Sequence, residues 1–461
     1  MAAASSEDVN VNTLTFDGQS AYGGNGTLTS DFTDAYVKVY SDAGSLVYTS
    51  PIKTTFSHTA SNSYSVSFNM PKNKTYKIEL WANVASTFAA TDKLQTNLDA
   101  AGTTVGSSTA VTATAVTGQT ISGASGSLTV ANGSLPTARF VNGGTTLNVY
   151  NFTLTPAYDD FTVDEVYVDI PSATTASNSG AVASVILKQG STTLQTAVVS
   201  ATTGSASFTG LNLAMPQSGG TKTFAVDVVF TSVGTEGNDT AGSVTMRLDG
   251  LKYRNSAGTI TTTTGLATAT YAGNAFTDVK GYPTFTATAL PTTVLSGGTQ
   301  TLFKTTLSAT GGQIAWNSIK FTVASSSAVV TIASATYKLW ENGVDITDSA
   351  TGATASDSYS GSDDYIEFSF ATERVVAQGS PTTLELRATV TGALVAGNSI
   401  TTQIANPTGT TVTSEDSTTQ GAKTASFVWS DQSSPAHSTS TDDWFTDGLV
   451  KTLADTQIIV K

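Results

Sequence analysis

The chain has no cysteine and two histidines, His58 and His437, nearly 400 positions apart. The missing cysteine excludes disulfides, Cys-ligated zinc, iron–sulfur clusters and thiol catalysis. A nucleophile triad or a His-rich metal site needs one of these histidines beside partners that no local motif supplies. Carboxylates come in pairs: Asp159-Asp160, Asp164-Glu165, Asp363-Asp364 and Asp442-Asp443. A glycosidase needs two carboxylates about 5–10 Å apart across a cleft, and sequence spacing does not supply that distance. Aspartates in loops also hold calcium through their oxygens. Asp431, Asp442, Asp443 and Asp447 are the calcium candidates because they cluster, although no Asp-x-Asp-x-Asp-Gly loop is present. The plainer reading of each pair is a solvated turn. His437 lies among Ser and Thr and reads as a polar cap, with metal ligation as the alternative. His58 reads as an exposed residue on a strand face. No residue is assigned a catalytic role, and the expectation is a protein that is not an enzyme.

What positions these groups is a β-rich scaffold. Apolar residues alternate with polar ones over most of the chain, and Thr alone is about a sixth of it. This is the pattern of half-buried strands joined by tight turns. The pattern also repeats. Leu135-Pro136, Gly143-Gly144-Thr145 and Leu147 return as Leu290-Pro291, Gly297-Gly298-Thr299 and Leu302. Phe161-x-Val163-x-x-Val166-x-Val168 returns as Ile314-x-Trp316-x-x-Ile319-x-Phe321. Thr223-Phe224-x-Val226-x-Val228-x-Phe230 returns as Thr383-Leu384-x-Leu386-x-Ala388-x-Val390. A third copy stands at the front, where Lys74-Thr75-Tyr76-x-Ile78-x-Leu80 matches Lys222-Thr223-Phe224-x-Val226-x-Val228, and Val39-Tyr40 … Gly44 matches Val185-Ile186 … Gly190. The expected fold is all-β: three tandem immunoglobulin-like sandwiches over 1–126, 127–280 and 281–425, with a C-terminal β extension over 426–461. The first copy lacks the Leu-Pro … Gly-Gly-Thr signature, leaving Val9–Phe16 as its only opening strand. The chain thus reads as short of sheet at its front and oversupplied at its back. Phe88–Leu98 is the one candidate for a short helix. Trp316 and Trp340 read as core.

Composition narrows the partners. The 461 residues carry 21 basic and 35 acidic side chains, a net charge of −14. Such a chain lacks the basic footprint of a nucleic-acid binder. No apolar run approaches the roughly 18 residues of a membrane-spanning helix.

The tail reads Phe427-Val428-Trp429-Ser430-Asp431 … Ser433 … His437-Ser438 … Asp443-Trp444 … Gly448-Leu449-Val450-Lys451. It resembles the segment that closes tandem β-sandwich surface proteins, surface-layer-like, of candidate phyla radiation bacteria. Phe445-Thr446-Asp447-Gly448 stands where those proteins usually have an Asn-Gly turn, and Ala454 where a Pro is common. The resemblance implies an extracellular, cell-surface location and brings no catalytic residue. Read physically, the tail holds apolar strands ending in Ile458-Ile459-Val460. This last strand either closes its own third sandwich or inserts into the incomplete first unit of a neighbouring copy.

The sequence therefore points to a non-catalytic structural protein that self-assembles, as a homo-oligomer, into a surface layer or extracellular filament. The assembly candidates are Val9, Val11, Leu14 and Phe16 at the front, and Trp429, Trp444, Leu449, Val450, Ile458, Ile459 and Val460 at the back. No cofactor is expected beyond calcium. An adhesin or carbohydrate-binding rod, with cell-envelope glycan as partner, is the alternative, and it would need an exposed aromatic platform or a loop-borne calcium site.

Overall fold

A computed structural model of the protein describes residues 7–18, 32–57, 61–85, 88, 93–170, 180–200, 202–233, 242–266, 268–355, 364–404, 426–438, 441, 443–446 and 456–461. Its elements are strands, with a few single turns of 3-10 helix. The chain divides into two compact units, 1–127 and 128–461. The first is one β-sandwich and the second holds two.

The first unit runs β1 (Val9–Gly18), β2 (Phe32–Tyr40), β3 (Leu46–Thr49), β4 (Lys53–Thr55), β5 (Asn62–Met70), β6 (Lys77–Val84), β7 (Lys93–Leu94), β8 (Thr96–Thr104), β9 (Ala110–Thr117) and β10 (Ile121–Ser122). One sheet has the order β5-β1-β8-β9. In the other, β6 covers one edge of β2 while β3 and β4 share the opposite edge. β5 shows how sequence makes such a strand: in Asn62-Ser-Tyr-Ser-Val-Ser-Phe-Asn-Met70 every second side chain is buried and the serines between face out. Each fully buried side chain of this kind contributes about 1.5–3 kcal/mol. Val9, Val11, Leu14 and Phe16 of β1 are all buried in this core. The region expected as a helix is strand where described, at β7 and the start of β8.

The second sandwich comprises β11 (Ser127–Asn132), β12 (Arg139–Asn142), β13 (Thr146–Ala157), β14 (Phe161–Asp169), β15 (Val182–Gln189), β16 (Thr192–Ala197), β17 (Ser205–Phe208), β18 (Leu213–Met215), β19 (Lys222–Phe230), β20 (Gly242–Val244), β21 (Arg247–Asn255), β22 (Ile260–Thr263) and β23 (Phe276–Val279). Its sheets are β11-β13-β19-β15-β16, β17-β14-β21-β22 with β18 on β14, and a small β12-β23-β20.

The third comprises β24 (Tyr282–Ala287), β25 (Gly298–Thr310), β26 (Ile314–Ser325), β27 (Thr331–Ile332), β28 (Lys338–Glu341), β29 (Val344–Asp345), β30 (Ala350–Ala355), β31 (Asp364–Val376), β32 (Thr382–Thr391), β33 (Ser399–Ile404), β34 (Phe427–Ser430), β35 (Trp444–Phe445) and β36 (Thr456–Val460). Its sheets are β24-β25-β32-β28-β29, with β27 on β32, and β30-β31-β26-β33-β36, with β34 joined to β26 and β35 to β34.

The repeats occupy equivalent places, and pairing corrects some of the sequence matches. β6, β19 and β32 are counterparts. Ile78 faces Val39 on β2, Val226 faces Leu187 on β15, and Leu386 faces Leu339 on β28. Val39 therefore matches Leu187, two residues from the sequence alignment, because the β2–β3 turn through Gly44 is longer than the turn at Gly190. Gly44, Gly190 and Gly343 all take the positive φ that their hairpin turns require. β1 is not an opening strand: it lies between β5 and β8, as β14 lies between β17 and β21. Trp316 is core, whereas Trp340 lies on the opposite side of its sheet, half-buried beneath the Arg387 guanidinium 4.1 Å above its ring.

Among the described residues the tail supplies no spare strand. β36 pairs with β33 and bridges in parallel to Val294, just as β23 pairs with β20 and runs parallel to β12. The Gln457 side chain accepts from the Lys304 amide and donates to the carbonyls of Lys304 and Thr288, tying β36 to the other sheet. Ile459 is buried within this sandwich. The oversupply read from the sequence is instead the β34–β35 insert.

Candidate functional site

The chemistry-bearing residues of the tail come together where the second and third sandwiches meet. Alternation in β12 sends Phe140 into the third sandwich's core and Val141 into the second's. Around Phe140 stand Trp429 at 5.0 Å and Phe445 at 5.8 Å between ring centroids, both edge-on, and Tyr282 at 6.4 Å. Such edge-on pairs add about 0.5–1.5 kcal/mol each beyond burial. Asn142 donates to the carbonyls of Val279 and Lys280. Gly311 packs on that amide, and a Cβ there would fall 2.0 Å from its nitrogen.

Polar side chains lock the insert over this junction. Asp431 is fully buried. It accepts from the Lys280 amide at 2.9 Å and from the amide and hydroxyl of Ser433. Burial raises its carboxyl above the ordinary range, against the opposing pull of these hydrogen bonds. Asp443 is also fully buried and accepts from the Ser434 amide and the Thr441 hydroxyl. The His437 ring lies between two carboxylates, with Nδ1 2.8 Å from Asp443 and Nε2 2.6 Å from Glu373 on β31. It stacks on Trp444 at 5.6 Å. Burial works against its charge, but Glu373 and Asp443 outweigh burial and raise its pKa. Both ring nitrogens can donate at once only in the imidazolium form.

This geometry clamps the insert in place. In a nucleophile triad the second ring nitrogen serves a Ser or Cys; here a second carboxylate takes it. Of the calcium candidates, Asp431 and Asp443 spend their oxygens on amides, hydroxyls and the imidazole, and Asp442 and Asp447 lie outside the described residues. Among the described residues no group of three or more His, Asp or Glu side chains is placed to hold a metal ion. Asp164 and Glu165 are not a solvated turn: they lie on β14 and pair across the sheet with Arg254 and Lys252 on β21. Asp160 caps the Gln217 amide. Asp363 and His58 lie outside the described residues, as do Leu449 and Val450. Trp429 and Trp444 are fully buried in their own chain, while Ile458 and Val460 remain half-exposed. Sequence reasoning missed Glu373 and Phe140, each far along the chain from the residues it meets.

The fold and this site define an all-β protein of three immunoglobulin-like sandwiches with a C-terminal β insert clasping two of them. No protein-family model and no curated protein matches the chain. Among solved structures it is similar to the C-terminal domain of the antigen I/II polypeptide BspA of Streptococcus agalactiae, at 11% identity over 60% of this chain and 95% of that one, with a TM-score of 0.19. It is also similar to the major pilin SpaD of Corynebacterium diphtheriae, at 10% identity over 87% and 81%, TM-score 0.19. A third is the collagen adhesin of S. aureus, at 12% identity over 60% and 84%, TM-score 0.14. At such scores the likeness carries no argument about what this chain does.

Proposed function

We propose that this is a non-catalytic structural protein of the cell surface whose copies assemble head to tail into a surface layer or extracellular filament. The observation that carries the reading is the junction of the second and third sandwiches. Its described reactive-looking residues, Asp431, His437 and Asp443, are spent on rigidity, and one strand contributes to both cores. A protein that must hold distance and bear load needs that coupling; a flexible string of domains has more polar, looser contacts. Sparse charge and repeated sandwiches suit open, head-to-tail assembly. Negative-stain microscopy of the purified full chain tests this. Ordered sheets or fibres are expected; persistent monomers over the micromolar range would refute it.

A second reading rests on one specific observation. Trp81 on β6 is 45% exposed and lies nearly parallel to Tyr36 at 6.4 Å, with the Lys38 ammonium 4.3 Å from its ring and Glu79 accepting from its indole nitrogen. An exposed Trp stacked on a half-buried Tyr and flanked by hydrogen-bonding groups suits the adhesin alternative, with glycan as ligand. Glycan-array binding that disappears in Trp81→Ala would support it, and equal signals from both proteins would end it.

A further inference from the structure

The clasp over the junction holds three carboxylates and one cation. Asp443 faces the His437 ring from its own connection, Glu373 faces it from β31, and Asp431 lies close enough to Asp443 to feel its charge. Among the described residues no Lys or Arg forms an ion pair with any of the three. The Lys280 ammonium goes to the Gln432 carbonyl, and Arg374, next to Glu373, is taken by Glu341 on β28. His437 is therefore the group that balances them, and it does so only as imidazolium.

The two sides of the ring are unequal. Asp443 is fully buried, whereas the Glu373 side chain keeps 26% of its surface in water. Asp443 also holds the Ser434 amide and the Thr441 hydroxyl, so it cannot turn away without stranding both. A neutral ring keeps one proton. It stays on Nδ1, toward the carboxylate that water does not reach, and Nε2 then aims a lone pair at Glu373. Two acceptors 2.6 Å apart repel, and Glu373 is the one free to turn into solvent. Its other oxygen accepts from the Gln432 side-chain amide, whose oxygen accepts from Gln313 in the turn that carries Gly311. One carboxylate thus ties β31 to the β34–β35 connection twice and, through Gln432, reaches the turn packed on Asn142. Trp444 depends on the same connection: it stacks on His437, donates its indole N–H to the Ser438 carbonyl and packs with Val428.

We propose that His437 is a proton-gated latch on this joint: the imidazolium pins the β34–β35 connection to β31, and loss of its proton releases Glu373 and lifts the connection off Trp444 and Val428 while the sandwiches stay folded. Burial opposes the ring's charge, but Glu373 and Asp443 outweigh it and raise the pKa. The latch is therefore closed in acid and opens as pH rises through the folded value, above about 6.5. The opening is local, confined to an insert whose ties are few and polar.

The absence of cysteine permits a direct test on the full chain. Val428→Cys places one thiol against Trp444. It is labelled at about pH 6 and about pH 9 in the presence of EDTA, and each rate is divided by that of a cysteine peptide at the same pH. The latch predicts relative labelling faster by about tenfold or more at the higher pH, with unchanged far-ultraviolet dichroism. Glu373→Gln separates a latch from a merely structural contact. Its amide can donate to the bare Nε2, so Val428→Cys carrying Glu373→Gln should stay protected at both pH values. A structural carboxylate would instead give faster labelling at both. That outcome, or equal protection at the two pH values with Glu373 in place, would overturn the proposal. Where Val428→Cys fails to fold, hydrogen exchange of the wild-type 427–446 segment reads the same opening. Corrected for intrinsic rate, its protection should fall at the higher pH in the wild type and hold in Glu373→Gln, and constant wild-type protection would overturn the latch.

Discussion

Phe140→Ala separates the contribution of the shared strand from everything else at the junction. Phe140 belongs by sequence to the second sandwich, yet its ring is buried in the core of the third. Removing the ring forfeits its transfer free energy, about 2–3 kcal/mol for a fully buried aromatic. Two edge-on contacts, with Trp429 and Phe445, add about 0.5–1.5 kcal/mol each. The sum, about 3–6 kcal/mol, agrees with the roughly 3–5 kcal/mol typical of Phe→Ala in a core. The loss falls on the coupling between sandwiches, so the expected result is more than a lower midpoint. Scanning calorimetry should show the second and third sandwiches unfolding together in the wild type and as two transitions in the variant. Of the two partners, tryptophan emission reads the third sandwich, because Trp316, Trp340, Trp429 and Trp444 all lie in it and none in the second, while Trp81 adds the separate signal of the first unit. In urea the emission transition should move to lower denaturant, while far-ultraviolet dichroism retains a later phase. A loss below about 1 kcal/mol with one coincident transition would refute the view that β12 couples the two cores.

His437→Gln should cost toward the lower end of the roughly 3–5 kcal/mol of a broken buried ion pair, since Glu373 keeps some solvent contact. Urea midpoints of the emission transition measure this. The same residue sets a pH dependence. Its pKa is raised on folding, so its stabilisation is complete below about 6.5 and declines as pH rises through the folded value; the midpoint should fall between pH 6 and 9 in the wild type and stay flat in His437→Gln. Gly311→Ala should destabilise by about 1–3 kcal/mol, because its φ of +85° strains any other residue and the new methyl displaces the Asn142 amide; calorimetry of the variant checks it. Removing residues 456–461 strips Ile459 from the third core and uncovers β33, and should cost at least the roughly 2–5 kcal/mol of a large-to-small core change, read as a lower melting temperature.

Much of this fold was legible because strand burial leaves a period of two in the sequence, and three copies reinforced one another. The β6, β19 and β32 correspondence came from alternating residues alone. Which strand flanks β6 did not, because pairing partners lie tens of residues away and leave no local mark. β1 illustrates the same limit: Val9–Phe16 reads as a strand, but nothing local says that it sits between β5 and β8 and not at the front of the sheet. The site was half legible. Asp431, His437, Asp443, Trp429 and Trp444 stood out as a cluster of rare residue types. Glu373 did not, since it is 64 positions from His437 and lies within the bulge in β31, where alternation is interrupted. Trp340 was misplaced because an aromatic beside a strand's core residue looks apolar whichever way it faces. Only the register against β32 puts Leu339 inward and Trp340 under Arg387.

The parallel pairing of β12 with β23 has a mechanical meaning. Tension applied along the chain enters the third sandwich through β23 and its continuation into β24. β12 lies alongside β23 in the same direction, so its hydrogen bonds are loaded in shear and must yield together, not one after another as in a peeled hairpin. Phe140 adds a plug that must leave one core before the other can move. A joint built this way is stiff, and under a pull the second and third sandwiches should rupture before they swing apart.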